Sequence, residues 1–240
     1  MNDFAESVVR AMQLVAGGDP QIVRIVGLSL AVSATACLIA TALGLLGGAA
    51  IAVWRFPGRS SVIVVLNTLL ALPSVVVGLV VYLLLSRAGP LGAFGILFTP
   101  SAMVIAQALL VTPIVAALTR QALEDALRDH GEQLRSLGAS PLQCAFIVAW
   151  DERIALLTVA LVAFGRAVSE VGAVMMVGGN IAGVTRVMTT AIALETTKGD
   201  LPLALGLGLV LLFVVLVLNV LIAVLGRWRT SGERRAGALA

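Results

Sequence analysis

The thirty residues Ile25–Trp54 carry no charged side chain. As a helix rising ~1.5 Å per residue they reach ~45 Å, more than the ~30 Å hydrocarbon core of a bilayer. Lipid solvates such a run, and the helix tilts or projects beyond the membrane. Further long apolar segments follow: Val62–Leu85, Ala102–Leu118 with Phe94–Phe98 as its optional beginning, Ile154–Val177 interrupted by Arg166 and Glu170, and Leu201–Leu225. With 60% hydrophobic and 12% charged residues, a soluble domain of 240 residues could not hide this surface in one core. The expected fold class is all-α: one polytopic membrane domain over 1–240 with about five transmembrane helices.

Five spans put the termini on opposite sides. With the C-terminus cytoplasmic, the inner segments hold Arg55, Arg59, Arg120, Arg128, Arg135, Arg153, Arg227, Arg229, Arg234 and Arg235. The outer segments hold Arg10, Arg24, Arg87, Arg186 and Lys198. Ten against five is the asymmetry of the positive-inside rule, so the N-terminus is expected outside and the 120–153 segment in the cytosol. Residues 1–20 lack the pattern of a secretory signal; Val8, Met12 and Val15 fit a short interfacial helix, and a frayed tail fits equally well. A disordered tail is expected at 228–240. Cys37 and Cys144 form no thiol motif, and the lone His130 suggests no metal site. The net charge of +3 is no argument for nucleic acid in a chain of this kind.

The polar segment from Arg120 to Arg153 is long for a connection and asks for a role. Leu123, Leu127 and Leu134 at roughly helical intervals, then Gly138-Ala139-Ser140-Pro141, predict two short helices joined by a tight turn, with Ser140 as N-cap and Pro141 in the first position of the second.

In the fourth span, Arg166 and Glu170 are one turn apart and can pair, which lowers the cost of placing charge in lipid. Gly165, Ser169 and Gly172 beside them let another helix approach closely. Two readings stand: a buried structural clamp, or a border of the substrate path. Gly178-Gly179-Asn180 then frees the backbone at the outer face. Thr185–Gly199 predicts a short helix with Thr185 as N-cap and Gly199 as stop, Val187, Met188, Ala191 and Ile192 forming its apolar face, and Thr189, Glu195 and Thr196 off it. With Arg186 foremost it reads either as a weak oxyanion guide or as a re-entrant packing helix.

Glu132, Gly138 six residues on, and Val148 ten beyond resemble the EAA loop of ABC importer permeases. Gln133 and Leu134 replace the family's two alanines, and Trp150-Asp151 its Leu-Pro. The run Gly165-Arg166…Ser169-Glu170…Gly172, then Gly178-Gly179-Asn180, then Thr185-Arg186…Thr189-Thr190, is similar to tungstate ABC permeases; molybdate and sulfate permeases share a related pattern. The resemblance covers Arg24–Arg227 and implies a type I ABC importer permease in a bacterial or archaeal cytoplasmic (inner) membrane. It implies ATPase coupling through Glu132, Arg135, Gly138, Ala139, Ser140 and Pro141, and a path or gate drawn from Arg166, Ser169, Glu170, Gly178, Gly179, Asn180, Thr185, Arg186, Thr189 and Thr190. It also implies a homodimer, ATP-binding cassette subunits and an extracytoplasmic oxyanion-binding protein. No phosphate loop of the form G-x-x-x-x-G-K-[ST] occurs, so nucleotide is expected on a separate subunit, with no cofactor and no catalysis here. Tungstate is the first expected cargo, molybdate or sulfate the alternative. A stand-alone channel or a proton-coupled carrier using Glu170 is the reading from another class, and an intramembrane enzyme ranks last.

Overall fold

The computed structural model describes residues 8–13 and 16–237. The expected interfacial segment 1–20 therefore lies partly outside the described residues. Among the described residues all regular elements are helical: α1 (Pro20–Val53), α2 (Arg59–Leu70), α3 (Ser74–Leu85), a 3₁₀ turn (Gly92–Phe94), α4 (Pro100–Ser136), α5 (Pro141–Asp151), α6 (Arg153–Val168), α7 (Gly172–Gly178), α8 (Met188–Lys198) and α9 (Leu201–Gly237). Among the described residues, α1, α4 and the Leu201–Gly226 part of α9 are long and apolar enough to cross a membrane. The pairs α2–α3 and α6–α7 each qualify together, bent by 100° and 56°. Counting each bent pair as one span gives five.

The bends correct the expectation of continuous second and fourth spans. Leu72-Pro73 separates α2 from α3; proline lacks the N–H a helix interior needs and disfavours helical backbone in the residue before it. Residues 94–98 do not begin the third span either. They form the end of a 3₁₀ turn and a loop in which Phe98 adopts φ 62° and donates its N–H to the Val177 carbonyl at 3.0 Å. The third span does not stop at Leu118: α4 continues unbroken to Ser136. At ~1.5 Å per residue its 37 residues reach ~56 Å, so the polar half extends past an apolar stretch that already suffices to span. Helix continues along α9 to Gly237 where a tail was expected from 228; residues 238–240 lie outside the described residues.

Two compact units divide the chain. The first contains residues 1–36, 73–110 and 165–217. Its core joins Val81 and Leu85 of α3, Ala102, Met103 and Ala106 of α4, and Ala173, Val174 and Val177 of α7. Gly78 lets α3 meet α7: a Cβ there would stand 2.8 Å from the Ala173 Cα. The second unit contains residues 37–72, 111–164 and 218–240. Gly44 and Gly48 of α1 pack against α4 within it, where a Cβ would come within 2.5 Å of the Val115 Cβ and of the Ala116 carbonyl oxygen respectively. Small-residue contacts of this kind are how helices associate in lipid, where burial from water supplies no drive. Leu123, Ala126 and Val148 form the core that seats α5 on the polar half of α4.

Candidate functional site

In the first unit, the break between α6 and α7 leaves backbone groups without helical partners, and side chains take them up. Glu170 is 2% exposed. Its Oε2 accepts from Arg166 Nη1 at 2.8 Å and its Oε1 from the Ala173 N–H at 3.1 Å. The Glu170 carbonyl accepts from Thr189 Oγ1 at 2.8 Å, and the Ala167 carbonyl from Gln107 Nε2 at 2.9 Å. A carboxylate is costly in lipid; here a cation and a backbone N–H at the start of α7 offset that cost. Arg166 is different, with its side chain 41% exposed. Ser169 is exposed beside it, with its hydroxyl bonded to the Gly165 and Arg166 carbonyls rather than to a neighbouring helix. Gly172, by contrast, does permit close packing, since a Cβ there would meet Ser74 and Val75 within 2.8 Å. Arg166 and Glu170 thus touch, and one member is buried while the other faces outward.

The turn after α7 is built from the residues singled out in sequence. Gly179 has φ 68° and Asn180 φ 51°, the left-handed region that glycine and asparagine tolerate best. Gly179 is also pressed by Phe98, whose ring would lie 2.9 Å from an added Cβ. Asn180 Nδ2 donates to the Thr190 carbonyl at 3.2 Å. Thr185 is not the N-cap of α8: its hydroxyl donates to the Gly178 carbonyl at 2.5 Å and accepts from the Ile181 N–H at 2.9 Å. The helix starts at Met188 with Val187 as N-cap, and Thr190 Oγ1 accepts the Val187 N–H. Gly199 stops the helix at φ 82°.

Thr189 and Glu195, expected off the apolar face of α8, are buried together with Met188 and Ala191. The reason is partnership. Thr189 holds the Glu170 carbonyl, and Glu195 Oε1 faces Lys198 Nζ at 3.0 Å and Arg186 Nη1 at 3.7 Å. Arg186 is therefore drawn to a buried carboxylate. Gln107 was not anticipated; a lone amide within the apolar 102–118 run was its signal.

In the second unit, Gly138 has φ 82°, and the Gly138 and Ala139 N–H groups close the end of α4 on the Arg135 and Leu134 carbonyls. A left-handed glycine ending a helix satisfies carbonyls that would otherwise lack donors. Ser140 caps α5 in a reciprocal box with Gln143, at 3.3 Å and 2.8 Å, and Pro141 takes the first position. Only the second of the two helices flanking this turn is short, since the first is the end of α4. Among the described residues, nothing lies within 4 Å of a Cβ placed on Gly138, so its surroundings are open. Glu132 and Arg135 are exposed on the last turns of α4. Leu137, Leu142, Phe146 and Trp150 are 64–84% exposed; the last three recur every four residues on α5. The opposite side of α5 is anchored by Val148.

Residues 40–231 match the family described as binding-protein-dependent transport system inner membrane component. The chain belongs to that family: it is an inner-membrane permease of an ABC importer. It is 43% identical over 222 residues to a tungstate uptake system permease protein of Peptoclostridium acidaminophilum, covering 92% of this chain and 97% of the relative. To a probable anion ABC transporter permease protein of Haloferax volcanii it is 41% identical, over 90% of this chain and 95% of that one. A sulfate transport system permease protein of Salmonella typhimurium is more distant, at 30% identity over 83% and 75% of the two chains.

Proposed function

We propose that this permease imports a tetrahedral oxyanion, tungstate first, with molybdate or sulfate as the alternative cargo. Similarity at 43% over nearly the full length of a tungstate permease, against 30% for a sulfate permease, supports that order. Two copies assemble around the path, an extracytoplasmic binding protein delivers the anion, and separate ATP-binding cassette subunits hydrolyse ATP. The N-terminus faces outward and the C-terminus the cytosol, as the arginine distribution favours.

The observation carrying the coupling role is the turn at Gly138. It is closed by its own caps, open around the glycine, and flanked by an outward apolar row that no described residue covers. Such a surface fits a cleft in a partner subunit, with Glu132 and Arg135 supplying charge at its rim. Cargo passes the break at Ser169–Val171, where Arg166 presents a guanidinium on the exposed side while Glu170 and the Thr185, Thr189 and Thr190 hydroxyls hold the frame behind it.

Cargo identity is tested by reconstituting the permease with its ATPase and binding protein and measuring ATP hydrolysis with tungstate, molybdate or sulfate. Tungstate should stimulate at the lowest concentration; stimulation by sulfate alone would reject tungstate and leave the family unaffected. Concentrative uptake by this chain alone in liposomes would instead support a carrier and remove the coupling role.

A further inference from the structure

A cavity of about 1090 Å³ in the second unit lies among the loop after α1, the polar half of α4 and the start of α5. We infer that it binds the phosphate head group of an anionic phospholipid. The proposal goes beyond the cargo reading and does not depend on which oxyanion is carried.

Its position is marked by chemistry. The uncharged run of α1 ends at Trp54, which is 54% exposed, and Phe56 follows at 40%. Both line the cavity. Aromatic side chains at the end of an apolar span sit at the level of lipid head groups, where their rings are half in hydrocarbon and half in water. Exposed Val62 and Val65 on the next helix continue with apolar surface suited to acyl chains.

Charge selects the ligand. Arg55, Arg59, Arg128 and Arg135 line the cavity against Glu124 and Glu132. Glu124 is already engaged by both Arg59 and Arg120, and Arg128 lies 3.6 Å from Asp125. Among the described residues, no carboxylate is ion-paired with Arg55 or Arg135. The cavity thus keeps two guanidinium groups with no carboxylate partner among the described residues: Arg55, directly after the apolar run of α1, and Arg135, on the last turns of α4. Guanidinium forks match phosphate oxygens, and basic pockets beside spans on the cytoplasmic side are suited to anionic head groups. An acidic segment of a partner protein would meet the same charges, but it would have no use for Trp54 and Phe56 at head-group depth.

The test is native mass spectrometry of the full-length permease, delipidated in mild detergent and titrated with phosphatidylglycerol, phosphatidylcholine of the same acyl chains, or inorganic phosphate. Phosphatidylglycerol should be retained preferentially. Arg55→Gln should lower that retention about fivefold, and adding Arg135→Gln should lower it by a similar factor again, while Arg55→Lys, which keeps the charge but not the fork, should lower it less than Arg55→Gln. Arg55 is an exposed loop residue, so the single variant leaves packing intact, and a monodisperse size-exclusion profile checks this. Equal retention of the two lipids, or unchanged retention in the double variant, overturns the proposal. Displacement of lipid by equimolar phosphate would assign the cavity to a soluble oxyanion instead. Unchanged lipid retention with loss of ATPase-subunit binding in Arg55→Gln would assign it to a protein partner. Each of these last two results also rejects the lipid.

Discussion

The break at Ser169–Val171 and the turn at Gly138 both interrupt helices, and they solve that problem in opposite ways. At the break, the chain imports partners from a distance: Gln107 from α4 and Thr189 from α8 reach the Ala167 and Glu170 carbonyls. At the turn, everything is local: Gly138 and Ala139 donate to the Arg135 and Leu134 carbonyls, and Ser140 and Gln143 cap each other. The first arrangement stores its specificity in a buried network, so its geometry follows the packing of three helices. The second is self-sufficient and leaves its apolar side chains outward, so its geometry does not depend on distant partners. In the proposed coupling, the first element would respond to helix rearrangement and the second would transmit it.

If that contrast is right, substitutions at the break cost stability and substitutions at the turn cost coupling. The largest effect is expected for Glu170→Ala, which removes charge-assisted bonds to Arg166 and to the Ala173 N–H. A loss on the order of 3 kcal/mol should appear as a lowered unfolding temperature in detergent. Arg166→Gln should be milder in stability because that side chain is partly exposed, yet it should reduce transport at normal expression. A fall in expression alone would make the pair only a clamp. Next comes Gly78→Val, whose Cβ would press on backbone at Ala173; overpacking of this kind costs about 2 kcal/mol. An unchanged unfolding temperature for Gly78→Val would show that α3 and α7 are less tightly coupled than the contact implies.

The same contrast explains what the sequence disclosed. Ser140-Pro141 and Gly138 were legible because a cap and a left-handed stop depend on neighbours in the chain. Arg166 and Glu170 were legible as a pair because helical spacing brings i and i+4 together. The bend between α6 and α7 was not, since the donors that stabilise it come from Gln107 and Thr189, far away in sequence. Thr185 misled for a related reason: a hydroxyl ahead of a helix suggests a cap, whereas tertiary structure directs this one back to Gly178. Two further features do carry a local signal. Pro73 inside the Val62–Leu85 run is a break signal, and the Arg120–Ser136 stretch, rich in Ala, Leu, Gln, Glu and Arg, has the propensity to prolong α4.

At the turn, stability and function should separate. Gly138→Ala places a Cβ in open space but strains the backbone at φ 82°, a cost of about 1 kcal/mol. Gly138→Asn tolerates that region better and should lose less stability. Gly138→Trp should insert in the membrane normally, since its surroundings within the chain are open, yet uncouple ATP hydrolysis from transport. Normal transport by the Trp variant would remove the docking role, whatever its stability.

The smallest stability effect is expected for the outward row. Phe146→Ser removes an apolar side chain that is 75% exposed and belongs to none of the buried clusters seating α5. Surface changes of that kind stay within about 0.5 kcal/mol, so the unfolding temperature should hardly move. Affinity for the ATPase subunit should nevertheless fall, because an apolar contact buried only in the complex contributes there and nowhere else. Ser140→Ala supplies the matching control, since it weakens the capping box by about 1 kcal/mol while leaving the outward row in place. Ser140→Ala should therefore lower stability more than Phe146→Ser and partner affinity less. The reverse order, measured by thermal unfolding and by binding of the purified ATPase subunit, would mean that the turn is held by its partner rather than preset for it.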